Sequence, residues 1–188
     1  TIGESVEAEN NYPHLLEKKL INAGILVEET KIIAKTGWKT DDLLKAIKKE
    51  KLTRTFDIVT LLIGVNNQYQ QKPIEQYKKE FRALLKTAIE LSDGKKERVF
   101  VISIPDYGYT PFGKENQKLI SKELNLYNTI NKSISSEFGV KRFDITPISR
   151  EGLKREELIA KDGLHPSGKM YQEWVNLFSK KIISSINK

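Results

Sequence analysis

Two histidines occur in the 188 residues, and one of them closes the run Asp162-Gly163-Leu164-His165, immediately before Pro166. An aspartate three residues ahead of a histidine, with a glycine to free the turn, can set its carboxylate on one imidazole nitrogen and fix the tautomer. The other nitrogen is then left as a base. The same run would equally serve a capping aspartate beside a surface histidine, and spacing alone does not separate the two. Pro166 suits the first position of a following helix, which would put the histidine at a rigid loop-to-helix junction. Two further residues carry polar groups of use to acyl chemistry. Asn66, in Gly64-Val65-Asn66-Asn67, offers a side-chain amide to a developing oxyanion or simply fills a turn. Gly37, in Thr36-Gly37-Trp38, offers a backbone N–H or merely satisfies a turn. The other histidine, His14, follows Tyr12-Pro13 and reads as a partly exposed residue at a helix start.

The elements that must position these residues alternate. Residues 29–35, 57–63, 98–104 and 140–145 are short β-branched or aromatic runs, and the second and third are nearly continuous in apolar character, as in parallel strands covered on both faces. Helices lie between them. Pro13 opens one with Leu16 and Leu20 on a stripe and Gly24 at its end; Thr40 is placed to cap one carrying Leu43, Leu44 and Ile47. Pro73 opens a long helix with Tyr77, Phe81, Leu84, Leu85 and Ala88, which stops near Asp93-Gly94. Another carries Ile120, Leu124, Tyr127, Ile130 and Ile134 up to Gly139, and the last carries Trp174, Phe178, Ile182 and Ile186. The order predicts an α/β fold, an open parallel sheet with helices on both faces, in which ligands gather at the carboxyl ends of the strands. Gly37, Asn66, the loop 105–111 and the Asp162/His165 pair all follow such ends.

Composition narrows the function classes. Hydrophobic residues make up 38% of the chain, enough for one globular domain over residues 1–188. The absence of cysteine excludes disulfides and thiolate chemistry, and two distant histidines argue against a His-rich metal site. The formal charge of +7 is spread over lysines such as Lys18, Lys19, Lys48, Lys49, Lys51, Lys95 and Lys96, which reads as a solvated surface and not a nucleic-acid stripe. No apolar run approaches the roughly 20 residues of a membrane span. Compartment and oligomeric state stay open.

A glycine, then Gly-x-Asn, then Asp-x-x-His, in this order and each at a strand end, resembles the SGNH hydrolases, also called GDSL esterases and lipases. The runs Ile63 to Tyr69, Ser103 to Gly108 and Asp162 to Ser167 look like a bacterial acylhydrolase branch, so the resemblance spans essentially the whole chain. It implies a doubly wound, three-layer α/β/α sandwich, flavodoxin-like, with strand order 2-1-3-4-5. Asn67 departs from the aspartate of many relatives.

The resemblance also implies a nucleophilic serine in an N-terminal block. Gly3-Glu4-Ser5 is a tempting match, but Ser5 stands only seven residues before Tyr12, closer than the family's serine stands to its aromatic-Pro pair. Thr1-Ile2-Gly3 instead fits the tail of the family's pattern of serine, any residue, Thr or Ser, any residue, Gly. The expected nucleophile therefore lies two residues before Thr1, and the expected first strand, central in the sheet, lies upstream with it. On this reading the domain is N-terminally incomplete in the sequence given.

The mechanism implied is ester hydrolysis through an acyl-enzyme, with His165 as base, Asp162 orienting it, and the serine N–H, Gly37 N–H and Asn66 amide holding the oxyanion. No metal or organic cofactor is called for; the expected partner is a small-molecule ester. Tyr69, Tyr107, Tyr109 and Phe112 are candidates to line an acyl pocket. A lysophospholipid, short-chain ester, thioester or acetylated sugar would each satisfy this chemistry. The rival reading is a noncatalytic small-molecule-binding module on the same sheet. A phosphate- or flavin-binding version would want a glycine- or Ser/Thr-rich loop after an early strand, and Thr36-Gly37-Trp38-Lys39-Thr40 is a poor one.

Overall fold

The computed structural model describes residues 2–186. Along the chain, α1 (Tyr12–Asn22) and α2 (Thr40–Glu50) precede β1 (Val59–Leu61), the short α3 (Val65–Tyr69) and the long α4 (Ile74–Leu91). Then follow β2 (Val99–Ile102), α5 (Gln117–Phe138), β3 (Lys141–Phe143), the one-turn α6 (Thr146–Ser149) and α7 (Gly168–Ile186). The strands are parallel in the order β1-β2-β3, so each connection between neighbours is a helical crossover and the fold is α/β. The chain divides into two compact units: residues 37–104 with 123–144, and residues 2–36 with 105–122 and 145–186.

The first of these units holds the sheet. β2 lies between its two neighbours and is buried at every residue, which is why its sequence is uniformly apolar; β1, at an edge, is half-buried. Val59 faces Val99, and Phe100 faces Lys141, along the ladders. The stripe of α4 is buried as its spacing predicts, from Tyr77 through Phe81, Leu84 and Leu85 to Ala88. Tyr77 packs against the Phe81 and Tyr127 rings at 5.5 and 4.6 Å between centroids, and burial pushes its phenol well above the ordinary range.

On α5, Ile120, Leu124, Tyr127 and Ile134 are buried, but Ile130 is only half-buried. Asn128 and Asn131 occupy the interior there instead. Asn128 accepts from the Ile104 N–H at 2.9 Å and donates to the Ile104 carbonyl at 3.0 Å, closing the backbone just after β2 as a neighbouring strand would. Asn131 accepts from the Arg142 guanidinium at 2.6 Å.

Two expected features take another form. Thr40 is the first residue of α2, not its cap. It is fully buried; its N–H donates to Asn67 Oδ1 at 3.0 Å, its hydroxyl accepts from Asn67 Nδ2 at 2.7 Å, and that hydroxyl donates to Glu80. These tertiary partners win over the local cap, and Lys39 takes the N-cap position, its N–H bonding Asp42 at 3.1 Å. Residues 29–35 form no strand. Ile32 and Ile33 are only half-buried, and without full burial β-branched residues do not suffice to select a strand.

In the other unit α1 packs along α7. Leu15, Leu16 and Leu20 of α1 are buried, as are Tyr171, Trp174, Phe178 and Ile182 of α7, and Tyr12 meets Phe178 edge-on at 6.3 Å. Asn11 caps α1 by accepting from the His14 N–H at 3.1 Å. Gly24 ends it at φ +80°, where the Ile25 N–H reaches back to the Leu20 carbonyl at 3.1 Å.

Gly64, between β1 and α3, sits at φ +128°, and a Cβ there would lie 2.7 Å from both Tyr77 and Ile104. Gly64→Ala is therefore expected to lower unfolding stability by at least about 1–3 kcal/mol. Urea unfolding of variant and parent checks this, and equal midpoints would contradict it.

Candidate active site

The Asp162/His165 pair lies at the tip of a tight hairpin in the unit that holds α1 and α7. The Ala160 N–H donates to the His165 carbonyl at 2.8 Å, the Ser167 N–H to the Leu158 carbonyl at 2.8 Å, and Ile159 bridges antiparallel to Pro166. Pro166 therefore serves this bridge and not the first turn of a helix; α7 begins at Gly168, and Ser167 caps it by accepting from the Met170 N–H at 3.2 Å. A proline has no N–H to lose in such a bridge. Gly163 takes φ +71° at the tip, the left-handed conformation its position demands.

Within this tip Asp162 Oδ1 accepts from the Leu164 and His165 N–H groups at 2.9 and 3.0 Å. Its Oδ2 lies 2.6 Å from His165 Nδ1, so Nδ1 is the protonated nitrogen and Nε2 is the basic one. Nε2 has no hydrogen-bond partner among the described residues, and the His165 side chain keeps 31% of its surface exposed. The expected acid-to-imidazole geometry is thus formed. Ser5 joins it from the N-terminal segment, its hydroxyl donating to Asp162 Oδ2 at 2.5 Å. It bonds the acid and not the imidazole, which is unlike the position of a nucleophile. Nothing in the sequence links Ser5 to Asp162, 157 positions apart, so spacing arguments could test it only as a nucleophile.

Partial burial works against the charge on Asp162, but hydrogen bonds from Ser5, from the His165 N–H and ring, and from the Leu164 N–H outweigh it. They hold the carboxyl well below the usual carboxylate range. Tyr171 is buried nearby; burial raises its phenol, and the charges of Asp162 and Glu4 raise it further, so it stays neutral. His14 belongs to a different arrangement: its Nδ1 lies 2.8 Å from the Ala8 carbonyl and 2.9 Å from Asn11 Oδ1, within the cap of α1.

The loop after β2 is held by Asp106, which is buried. Asp106 accepts from the Gly108 N–H at 3.0 Å and from Arg150 Nε at 2.9 Å, and its N–H donates to Ser149 Oγ at 2.8 Å. Further along the loop, Phe112 donates its N–H to the Gly163 carbonyl at 3.0 Å, which places it beside the Asp162/His165 tip. Phe112 is exposed, with Tyr107 6.5 Å away between ring centroids; Tyr109 is half-buried under the Arg150 guanidinium at 5.9 Å. Nothing in the sequence marks Asp106 as an anchor, because an aspartate in a Pro/Gly-rich loop looks like an ordinary turn residue.

Gly37 and Asn66 belong to the unit with the sheet. Gly37 occupies an exposed turn at φ +82° with open space where a Cβ would stand, and its carbonyl accepts from Gln70 Nε2 at 3.0 Å. Asn66, in α3, donates one amide hydrogen to the Trp38 carbonyl at 3.1 Å. A primary amide carries two such hydrogens. Tyr69, at the end of α3, is exposed.

The family's sequence model, GDSL-like lipase/acylhydrolase, matches residues 1–173. The chain belongs to this family. No curated protein sequence matches it. Solved structures do. The psychrotrophic esterase EstA from Pseudoalteromonas sp. superposes with a TM-score of 0.70 at 16% identity over 100% of this chain and 93% of that one. The lipase/acylhydrolase from Enterococcus faecalis gives 0.66 at 22% identity over 92% and 85%, and the acetyl xylan esterase AlAXEase gives 0.70 at 17% over 94% and 90%. These likenesses show that the fold is that of the GDSL hydrolases, and the family is one of ester hydrolases.

The Asp162 charge has a consequence for stability. A carboxyl held below its unfolded value stabilises the fold at any pH above the ordinary carboxyl range, and that contribution is lost as pH falls through the folded value. The gap in melting temperature between the protein and Asp162→Asn is expected to be full above roughly pH 5 and to shrink below roughly pH 4. Thermal melts across pH 2–8 check it; a gap that grows towards acid would contradict the assignment of the charge.

Proposed function

We propose that this protein is a serine acylhydrolase that cleaves carboxylic esters through an acyl-enzyme. The observation that carries the reading is the 2.6 Å contact of His165 Nδ1 with Asp162 Oδ2, which leaves Nε2 of a partly exposed side chain as general base in a chain of this family. The nucleophile is a serine two residues before Thr1. The fit of Thr1-Ile2-Gly3 to the family's block supports this position, and so does the engagement of Ser5 with the acid. The serine Oγ attacks the ester carbonyl, and His165 Nε2 takes its proton and returns it to the leaving alkoxide; water then repeats the cycle on the acyl-enzyme. Asp162 orients the ring and stabilises the imidazolium.

By the family pattern, the oxyanion donors are the serine's own N–H, the Gly37 N–H and the second amide hydrogen of Asn66. Phe112, whose N–H bonds the Gly163 carbonyl, and Tyr107 beside its ring would line the substrate, with Tyr109 and Tyr69 as further candidates. Phe112 and Tyr69 are exposed and Tyr107 and Tyr109 half-buried, and aromatic walls of this kind suit a small apolar ligand. No metal or organic cofactor is needed for any step.

Treating the full-length protein with a fluorophosphonate, followed by intact mass and peptide mapping, tests the core of this reading. An adduct on a serine upstream of Thr1 is expected; an adduct on Ser5, or none, would overturn the nucleophile assignment. Removing a single oxyanion donor typically costs on the order of 100-fold to 1,000-fold in turnover. Asn66→Ala is expected to show such a loss in kcat towards p-nitrophenyl esters with an unchanged circular dichroism spectrum. His165→Ala is expected to abolish turnover and His14→Ala to retain it, and the reverse pattern would remove the triad.

A further inference from the structure

We infer that Ser5 is a positioning residue for the triad, its hydroxyl fixing the carboxylate of Asp162 at the same oxygen that holds the His165 ring. The inference rests on the triad reading of Asp162 and His165 given above.

An ionised carboxylate offers about four lone-pair sites. Asp162 meets four donors: the Leu164 and His165 N–H groups on Oδ1, and His165 Nδ1 and Ser5 Oγ on Oδ2. The three donors from residues 164 and 165 belong to the same hairpin tip, so they hold the carboxylate relative to that tip and to nothing else. Among the hydrogen bonds to Asp162 described here, only that of Ser5 ties the carboxylate to a distant chain segment.

The segment that presents Ser5 is itself built for this. The Val6 N–H closes a turn onto the Gly3 carbonyl at 3.3 Å, with Ser5 as the third of its four residues. Gly3, at φ +84°, is buried, and a Cβ there would stand 2.6 Å from Asn11 Cβ. Asn11 in turn donates to the Ile2 carbonyl at 3.2 Å. Glu4, the second residue of the turn, accepts from the Thr36 hydroxyl. Ser5 holds φ +64°, a conformation glycine adopts freely and other L-residues adopt at a cost. A residue needed only to turn the chain would be glycine there; the hydroxyl's bond to a charged acceptor offsets the strain.

The test uses the full-length protein with p-nitrophenyl acetate as probe and the variants Ser5→Gly, Ser5→Ala and His165→Ala. Both Ser5 variants are expected to lose on the order of 10-fold to 100-fold in kcat, the worth of one hydrogen bond to a charged group, with KM near that of the parent. Fluorophosphonate should still label the same serine in both. Ser5→Ala should melt below Ser5→Gly, because alanine meets the positive φ and glycine does not, so a loss of kcat common to both isolates the hydroxyl from the backbone. Parental kcat in Ser5→Gly, a loss seen only in Ser5→Ala, or disappearance of the adduct in both would overturn the assignment. Full activity in His165→Ala would instead remove the triad reading itself, whatever the Ser5 variants do.

Discussion

The chemistry proposed for this protein hangs on one saturated carboxylate. Asp162 receives two backbone N–H groups, an imidazole N–H and a hydroxyl, and those donors do two things together. They hold the side chain in one rotamer, and they keep it ionised although burial opposes the charge. The hairpin around it supplies the rest. With the His165 carbonyl bonded to the Ala160 N–H and Pro166 bridged to Ile159, the backbone of His165 is fixed on both sides, so only the ring torsions remain for Asp162 to set.

Much of this was legible in the sequence because it is local. Asp162 and His165 are three residues apart, and a glycine between them announces the turn. The long helices were legible for a related reason: Tyr77, Phe81, Leu84, Leu85 and Ala88 write the period of the helix directly, and burial follows the period. What could not be read depends on contacts between distant positions. Asn128 and Asn131 are polar residues on a helix, which pattern places in solvent; the structure buries them because the backbone after β2 and Arg142 need partners. Thr40 has the composition of a cap, but Asn67 and Glu80 claim its polar groups. Ser5 has the composition of a nucleophile, and spacing could only accept or reject it in that role.

The adjacent asparagines of α3 show how the same side chain divides between structure and chemistry. Asn67 is fully buried, with its carbonyl and its amide both bonded to Thr40, so it anchors the start of α2. An aspartate in its place could accept the Thr40 N–H but could not donate to the hydroxyl, which already donates to Glu80. The asparagine is thus matched to this particular threonine and glutamate. Asn66, one residue earlier and half-buried, is held among the described residues by one amide hydrogen on the Trp38 carbonyl. That bond orients the amide, and its second hydrogen meets no acceptor among the described residues, which suits the oxyanion role proposed for it: placement without saturation.

The saturation of Asp162 also fixes where the proton goes. A carboxyl held well below the usual range is a poor proton acceptor, so in the proposed cycle an imidazolium at His165 would keep its Nδ1 proton and Asp162 would act through its charge. The same depression limits that help. Each further donor on Oδ2 draws electron density from the oxygen that faces the imidazole, so in the proposed triad the Ser5 bond would trade some electrostatic stabilisation of the imidazolium for a fixed geometry. The trade favours geometry here because the pair is about one-third exposed. Solvent already screens part of the charge interaction at such a site, whereas a misplaced ring loses the aligned proton transfer altogether.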